Sequence, residues 1–296
     1  MKKSPRKFDV VTVTLNPAID LTISIDDFRT GAVNRVAASH TQPGGKGVNA
    51  ATALAAAGHH VAATGFLGRE NTGDFETLFA EKGIEDCFVR IAGRTRTGIK
   101  IADPVRNETT DINFPGFSPT APDLKKLFRR LDALDAKWFM AGGSVPPGVD
   151  TAIYRELIGR LKARGCRVIL DTSGEALRHG IEAGPDIIKP NIHELEELAG
   201  KPLRTQVSVE KAARALLAKG IKIVAVSMGG KGALFVSGKG AAFHPAAKIK
   251  IKSTVGAGDA MVAGILAAQL RNLPLTACAR LATKYSTSLL EHNAAR

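Results

Sequence analysis

The chain has 296 residues, 44% of them hydrophobic and 23% charged, an ordinary globular balance that allows one large α/β domain or two smaller ones. Three widely spaced cysteines, Cys87, Cys166 and Cys278, form no Cys-x-x-Cys pair, which argues against a zinc site or a disulfide framework and for a reducing cytoplasm. The formal charge of +13 comes without a membrane-length apolar run and without a Lys/Arg block interleaved with aromatics, so anionic small molecules are expected, and no nucleic acid or membrane.

Residues 9–15 are β-branched and apolar and predict a buried strand. Residues 19–28 alternate, with Leu21, Ile23 and Ile25 on one side and Thr22, Ser24 and Asp26 on the other, which predicts a half-exposed strand. The alanine-rich stretch 48–57 ends at Gly58 and predicts a helix. A strand at 60–66 and a helix at 72–81, stopped by Gly83, follow. Segments 97–102 and 109–114 alternate on either side of a turn at 103–107 and predict a hairpin with one polar face. Beyond them the pattern is regular, with strands at 137–141, 167–171, 187–188, 223–227 and 232–236 and helices at 151–164, 192–199 and 209–219. Such alternation implies a mostly parallel sheet covered by helices on both faces. The stretches near 19–40 and 97–115 do not fit inside that sheet and are expected to form a small β lid.

The richest stretch is Ser253-Thr254-Val255-Gly256-Ala257-Gly258-Asp259, followed by small and apolar residues to Leu270. A glycine turn opening a buried helix presents unpaired N–H groups and the positive end of the helix dipole to an anion. A carboxylate beside that site would repel a phosphate. It makes sense if Asp259 takes a proton from a hydroxyl that attacks the phosphate. The residues alone also allow a simple helix-capping aspartate. In an open α/β sheet, ligands bind at the carboxyl ends of the strands. Four polar or glycine clusters fall there: 16–20, 142–144, 189–194 and 227–232. Any one could be a structural turn, but their convergence with Gly256 to Asp259 argues for one shared site. The chain has neither Gly-x-x-x-x-Gly-Lys-Ser/Thr nor Gly-x-Gly-x-x-Gly, so a nucleotide would have to bind in another way.

Pro43-Gly44-Gly45-Lys46-Gly47-Val48-Asn49 and the 253–259 stretch resemble the two signatures of the ribokinase-like (PfkB) carbohydrate kinases, and Lys189-Pro190-Asn191-Ile192-His193-Glu194 resembles their Asn-x-x-Glu element. Residues 14–20 and 93–96 resemble the branch that acts on phosphorylated hexoses. The resemblance implies a three-layer α/β/α fold over residues 1–296, a single kinase domain with lid strands at about 17–42 and 94–116. It implies transfer from ATP, with Mg²⁺, to a hexose phosphate, foremost fructose 1-phosphate. Tagatose 6-phosphate or fructose 6-phosphate as substrate, and a non-catalytic sugar-phosphate binder, are the alternatives.

The resemblance also implies roles. Asp259 would be the base, with the N–H groups of Gly256, Ala257 and Gly258 stabilising the transferring phosphoryl group. Asp20 and Asn49 would bind sugar hydroxyls, and Gly45 would let the sugar approach the backbone. Arg96, assisted by Lys46, would grip the phosphate already on the sugar, with Ser144 facing the substrate. Lys189, Asn191, Ser227, Gly229, Gly232 and Thr254 would border ATP, and Glu194 would hold Mg²⁺ through water. The bland counterparts are a turn cap for Asp20, a helix-start residue for Asn49, a solvated lysine for Lys46 and a surface glutamate for Glu194. Family members continue past 283–293 with a segment that completes the adenine pocket, whereas this chain stops at Arg296 and is polar over 284–288. An adenine side that is altered or supplied by a neighbour is therefore expected. A homodimer through the lid is the expected assembly.

Overall fold

A computed structural model describes residues 7–106, 108–249 and 254–295. Asn107 of the expected hairpin turn and Ser253 of the glycine motif lie outside them. In chain order come β1 (Phe8–Thr14), β2 (Ala18–Ser24), β3 (Ala38–Gly44), α1 (Lys46–Ala56), β4 (Val61–Gly68) and α2 (Gly73–Lys82). Next are β5 (Glu85–Asp86), β6 (Val89–Ile91), β7 (Arg96–Asp103), β8 (Glu108–Asn113), α3 (Ala121–Ala133), β9 (Ala136–Gly142) and α4 (Ile153–Ala163). Then follow β10 (Arg167–Asp171), α5 (Gly174–Glu182), β11 (Ile187–Ile188), α6 (Ile192–Ala199), α7 (Gln206–Leu217) and β12 (Ile223–Ser227). The hairpin β13 (Ala233–Ser237) and β14 (Gly240–His244) precedes α8 (Ala257–Leu270) and α9 (Leu275–Ala295).

The main sheet runs β14-β13-β12-β11-β10-β9-β1-β4-β5, and β6 also pairs with β4. It is parallel from β12 through β5, and only β13 and β14 are antiparallel. Alternate side chains on its strands enter two cores. Val10, Trp138, Met140, Ile169 and Ala225 pack with Leu54, Phe79, Ile265 and Ala279 from α1, α2, α8 and α9. Val11, Val13, Phe139, Leu170 and Val226 pack with Leu127, Leu157, Leu177, Leu195 and Val209 from α3 to α7. Burial on both faces explains why these strands read as near-continuous apolar runs. Each fully buried Val, Leu, Ile, Phe or Met among them contributes roughly 1.5–3 kcal/mol. Because the central strands are parallel, the residues just past β1, β9, β10, β11 and β12 all emerge on one edge.

A separate sheet, ordered β3-β2-β7-β8, is built from the segments expected to form a lid. The β7–β8 pair is an antiparallel hairpin and β2 lies parallel to β7. β2 stops at Ser24, short of the expected 28. There the chain bends through Asp27, at φ 53°, and the N–H groups of Asp27 and Phe28 donate to the buried Asp103 carboxylate at 3.1 and 2.8 Å.

Three helices, α3, α5 and α9, were absent from the sequence reading. α3 buries only Leu127, Phe128 and Leu131 against an otherwise polar surface, and its signal was the Thr120/Asp123 capping box ahead of it. α5 is a nine-residue helix that likewise buries one narrow stripe, Ala176, Leu177, Gly180 and Ile181. α9 runs unbroken through the polar stretch 284–288. Its buried Ser286 donates to the Ala257 carbonyl at 2.8 Å, and its Thr283 to the Ala279 carbonyl at 2.9 Å. Those hydroxyls are polar yet fit a buried helix, because each has a backbone acceptor. Among the described residues no helix is long and apolar enough to cross a membrane.

Candidate active site

The start of α8 is held from behind by α9. A Cβ at Gly264 would lie 2.6 Å from Ala282 Cα, so the two helix backbones are in close contact. Gly256 caps α8 with φ 77°, a left-handed conformation that strains any side-chain-bearing residue. Asp259 is the third residue of the helix and is buried. One of the expected donors, the Ala257 N–H, donates to the Thr254 carbonyl at 3.2 Å. This i to i+3 turn opens the helix.

Asp259 faces α1. Asn49 Nδ2 donates to Asp259 Oδ2 at 2.7 Å. Beside this pair lies Asp171, at the end of β10, which is 0% exposed. Lys46 Nζ donates to its Oδ1 at 2.7 Å, and Lys189 Nζ lies 3.4 Å from the same oxygen. A Cβ at Gly258 would sit 3.5 Å from Lys189 Nζ, so that ammonium lies against the helix start. Burial, and then the charge of Asp171, push the Asp259 carboxyl up to about 6, against the opposing pull of Lys46, Asn49 and Lys189. Burial drags the Lys46 ammonium down, but the carboxylates of Asp171, Asp259 and Glu194 outweigh it and hold it above the usual lysine range. Lys46 is thereby engaged with Asp171. Two cations and two carboxylates, mutually compensated, line one small volume. Asp171 was missed in the sequence. Its only signal was an acidic residue ending a recognised buried strand at the ligand-binding edge.

Across the edge stands the polar face of the small sheet. Arg96 Nη1 donates to Asn113 Oδ1 at 3.2 Å and to the Phe114 carbonyl at 3.3 Å, and its Nε donates to the Asn16 carbonyl at 3.4 Å. Burial pulls this guanidinium below its ordinary value, opposed by Asp20. Asn16 Nδ2 donates to the Pro115 carbonyl at 3.0 Å and to the exposed Ser144 Oγ at 3.3 Å. Asn16 Oδ1 is buried with no hydrogen-bond partner among the described residues. Asp20 is buried on β2 within reach of Arg96. Gly45 has φ 116°, and a Cβ there would lie 2.9 Å from Thr14 Cγ2 and 3.1 Å from Pro17 Cα. Packing against β1 already demands glycine at that position, whether or not a sugar approaches.

The remaining residues follow β11 and β12. Asn191 and Glu194 form a reciprocal capping box on α6: Asn191 N–H donates to Glu194 Oε2 at 2.8 Å, and Glu194 N–H donates to Asn191 Oδ1 at 2.9 Å. The Asn191 side chain is thus engaged in capping, while the Glu194 charge is felt at Lys46. Ser227 is half-buried and its N–H donates to the Pro190 carbonyl at 3.1 Å. Gly229 is exposed on a short 3-10 turn with φ 56°. Gly232 is buried, and a Cβ there would collide with the His244 carbonyl and lie 2.8 Å from Pro245 Cα, so the β13–β14 hairpin requires it. Thr254 is exposed.

A three-layer sheet carrying a separate small sheet, with a buried carboxylate at a helix start among compensated lysines, defines a phosphotransferase with an alcohol acceptor on a ribokinase-like fold. The chain belongs to the pfkB family of carbohydrate kinases, whose pattern matches residues 13–296. It is 46% identical over 284 residues to a 1-phosphofructokinase of Rhodobacter capsulatus, covering 95% of this chain and 90% of that one. To a 1-phosphofructokinase of Xanthomonas campestris it is 44% identical over 293 residues, covering 97% and 92%. Phosphofructokinase-2 of Escherichia coli, solved in complex with substrates and products, superposes with a TM-score of 0.90 at 27% identity, covering 95% of this chain and 93% of that one.

Proposed function

We propose that this kinase transfers the γ-phosphoryl group of ATP to fructose 1-phosphate, giving fructose 1,6-bisphosphate and ADP. The observation that carries the reading is the placement of Asp259. It is a buried carboxylate poised near neutrality at a helix start, hydrogen-bonded to Asn49 and flanked by Lys46 and Lys189. A base needs a pKa near the working pH and a proton within reach. In this reading the sugar hydroxyl loses its proton to Asp259 as its oxygen bonds the γ-phosphorus and the β–γ bridging bond breaks. Asn49 orients the carboxylate and the hydroxyl, and Asp20 receives other sugar hydroxyls. The helix start at Gly256 and Gly258, with Lys189, faces the phosphoryl group. Lys46 balances the two carboxylates. Arg96, steadied by Asn113, meets the phosphate that the sugar brings, with Ser144 and Asn16 beside it. Ser227, Gly229 and Thr254 border the nucleotide, while Asn191 and Gly232 shape that border without lending side-chain contacts. The whole chain acts as one kinase unit in the cytoplasm, with the small sheet as lid.

Magnesium suits this donor set. The described residues hold no group of three or more His, Cys, Asp or Glu that could enclose a metal, and Mg²⁺ characteristically keeps its waters and takes one or two carboxylates with phosphate oxygens. Glu194 is the carboxylate proposed to hold it through water. When bound, the ion offsets phosphate charge.

The names of the relatives and the polar small-sheet face around Arg96 favour fructose 1-phosphate over its isomers. A coupled ADP assay over fructose 1-phosphate, fructose 6-phosphate, tagatose 6-phosphate and fructose is expected to give the highest kcat/KM for the first. A higher value for either 6-phosphate would overturn the substrate assignment. Absence of turnover on every sugar phosphate would overturn the kinase assignment for this chain.

A homodimer through the small sheets is proposed as well. Seven large hydrophobic residues are strongly exposed among the described residues, and five of them, Val33, Val36, Val105, Ile112 and Phe114, belong to that sheet or its connections. Exposed apolar strand surface invites pairing. Light scattering at micromolar concentration is expected to give twice the 31.2 kDa chain mass, and a monomer would refute the arrangement.

A further inference from the structure

Asp20 is pressed into the small sheet. The strand register sets it opposite Gly98 on β7, and sets its neighbour-but-one Ala18 opposite Gly44 on β3. A Cβ at Gly44 would collide with Asp20 Oδ2, and one at Gly98 would lie 2.6 Å from Oδ1. The carboxylate therefore fills a cradle that exists only because both flanking strands carry glycine beneath it. Lys100 is the next residue on the same face of β7. Its Nζ lies 3.2 Å from Asp20 Oδ1 and 3.9 Å from Asp111 Oδ1. The side chains of Lys100 and Asp20 are only 13% and 9% exposed. Lysines ordinarily carry their ammonium out to water. This one turns inward to a buried carboxylate, which separates it from a surface ion pair of little consequence.

We propose that Lys100 is a positioning residue for sugar recognition. It keeps the Asp20 carboxylate charged and oriented in its glycine cradle, ready to accept sugar hydroxyls, and Gly98 is the residue that keeps the cradle open. The inference rests on the sugar-phosphate reading above. Electrostatics agrees: burial pushes the Asp20 carboxyl up, Lys100 and then Arg96 oppose that, and Asp111 adds to it. Lys100 points at the carboxylate and Arg96 at the Asn113 side of the face, so the two cations have separate tasks. Arg96 answers the substrate's charge, while Lys100 answers the charge of the protein's own sugar ligand.

Lys100→Met is expected to raise KM for fructose 1-phosphate about ten- to a hundredfold, the scale of one lost charge-assisted contact, with kcat and KM for ATP unchanged. Lys100→Arg restores most of the affinity, because it keeps the charge. Gly98→Ala raises the same KM by displacing the carboxylate. In an Asp20→Asn background, Lys100→Met adds nothing further. Unchanged KM in Lys100→Met, while the wild type turns over the sugar, overturns the proposal. So does an equal rise in the Asp20→Asn background, which would make Lys100 a direct ligand of the substrate. Should Lys100→Met fail to fold, Lys100→Gln carries the same comparison. If the wild type turns over no sugar phosphate, the kinase reading falls by itself. Calorimetry with fructose 1-phosphate then reads the inference directly: the same weakening supports it, and equal or absent binding in wild type and variant overturns it.

Discussion

Asp259→Asn is expected to lower kcat at least about a hundredfold, the usual scale for losing a general base, while ATP binding measured by calorimetry persists. Asparagine preserves the shape and can still accept the Asn49 hydrogen bond now made at 2.7 Å. It cannot take a proton. The nucleotide-facing groups, Lys189 and the helix start, are untouched. Near-wild-type turnover would remove Asp259 from the chemistry. The wild-type pH profile carries the same assignment. The base works only when ionised, and burial with Asp171 places its pKa at about 6. kcat/KM should therefore fall as pH drops through about 6, and a flat profile down to pH 5 would contradict it.

Stability should move in the opposite direction. A carboxyl whose folded pKa is raised contributes stability that is complete below its unfolded value and is lost as pH rises through the folded one. At neutral pH the wild-type protein thus bears an unfavourable buried charge at Asp259. Asp259→Asn removes it, so the unliganded variant should melt higher at pH 7, and the gain should shrink as the pH is lowered toward 4. A buried charge that costs stability at neutral pH fits a functional task.

Arg96→Ala is expected to raise KM for the sugar phosphate about ten- to a hundredfold, as one charge-assisted contact contributes roughly 1.5–3 kcal/mol, and to leave KM for ATP nearly unchanged. Arg96 is partly buried and anchored by Asn113, Phe114 and Asn16, so its guanidinium is already oriented before substrate arrives. Burial lowers its pKa, so the guanidinium is short of compensating negative charge and would gain from a phosphate dianion. Free fructose supplies no such partner, so the variant should lose most of its discrimination between fructose 1-phosphate and fructose. Equal rises in both KM values would point to collapse of the small sheet. No change would place the phosphate elsewhere.

Much of this protein was legible from its residues. The apolar runs within 9–15, 137–141 and 167–171 are buried parallel strands, because both faces of the sheet are covered by helices. The glycine motif before Asp259 encoded a helix start, because φ 77° at Gly256 is a local demand that only glycine meets without strain. The alternation at 19–24 and 97–102 separated the small sheet from the large one. These features are set by neighbours a few residues apart. Other features depended on distant partners. Asp171 meets Lys46 across 125 positions, and Asn49 meets Asp259 across 210. Nothing local marks Asp171 as anything but the end of a strand. The strand order, with β10 beside β9 and β11, carries it to the edge where α1 and α8 begin. The same holds for Asp20, whose cradle is two glycines on other strands. Local sequence determined the elements and the chemistry at hand. Which charges neutralise one another, and so which pKa values move and which donors stay open, was decided by the packing of segments far apart in the chain, because Coulomb energy follows distance in space.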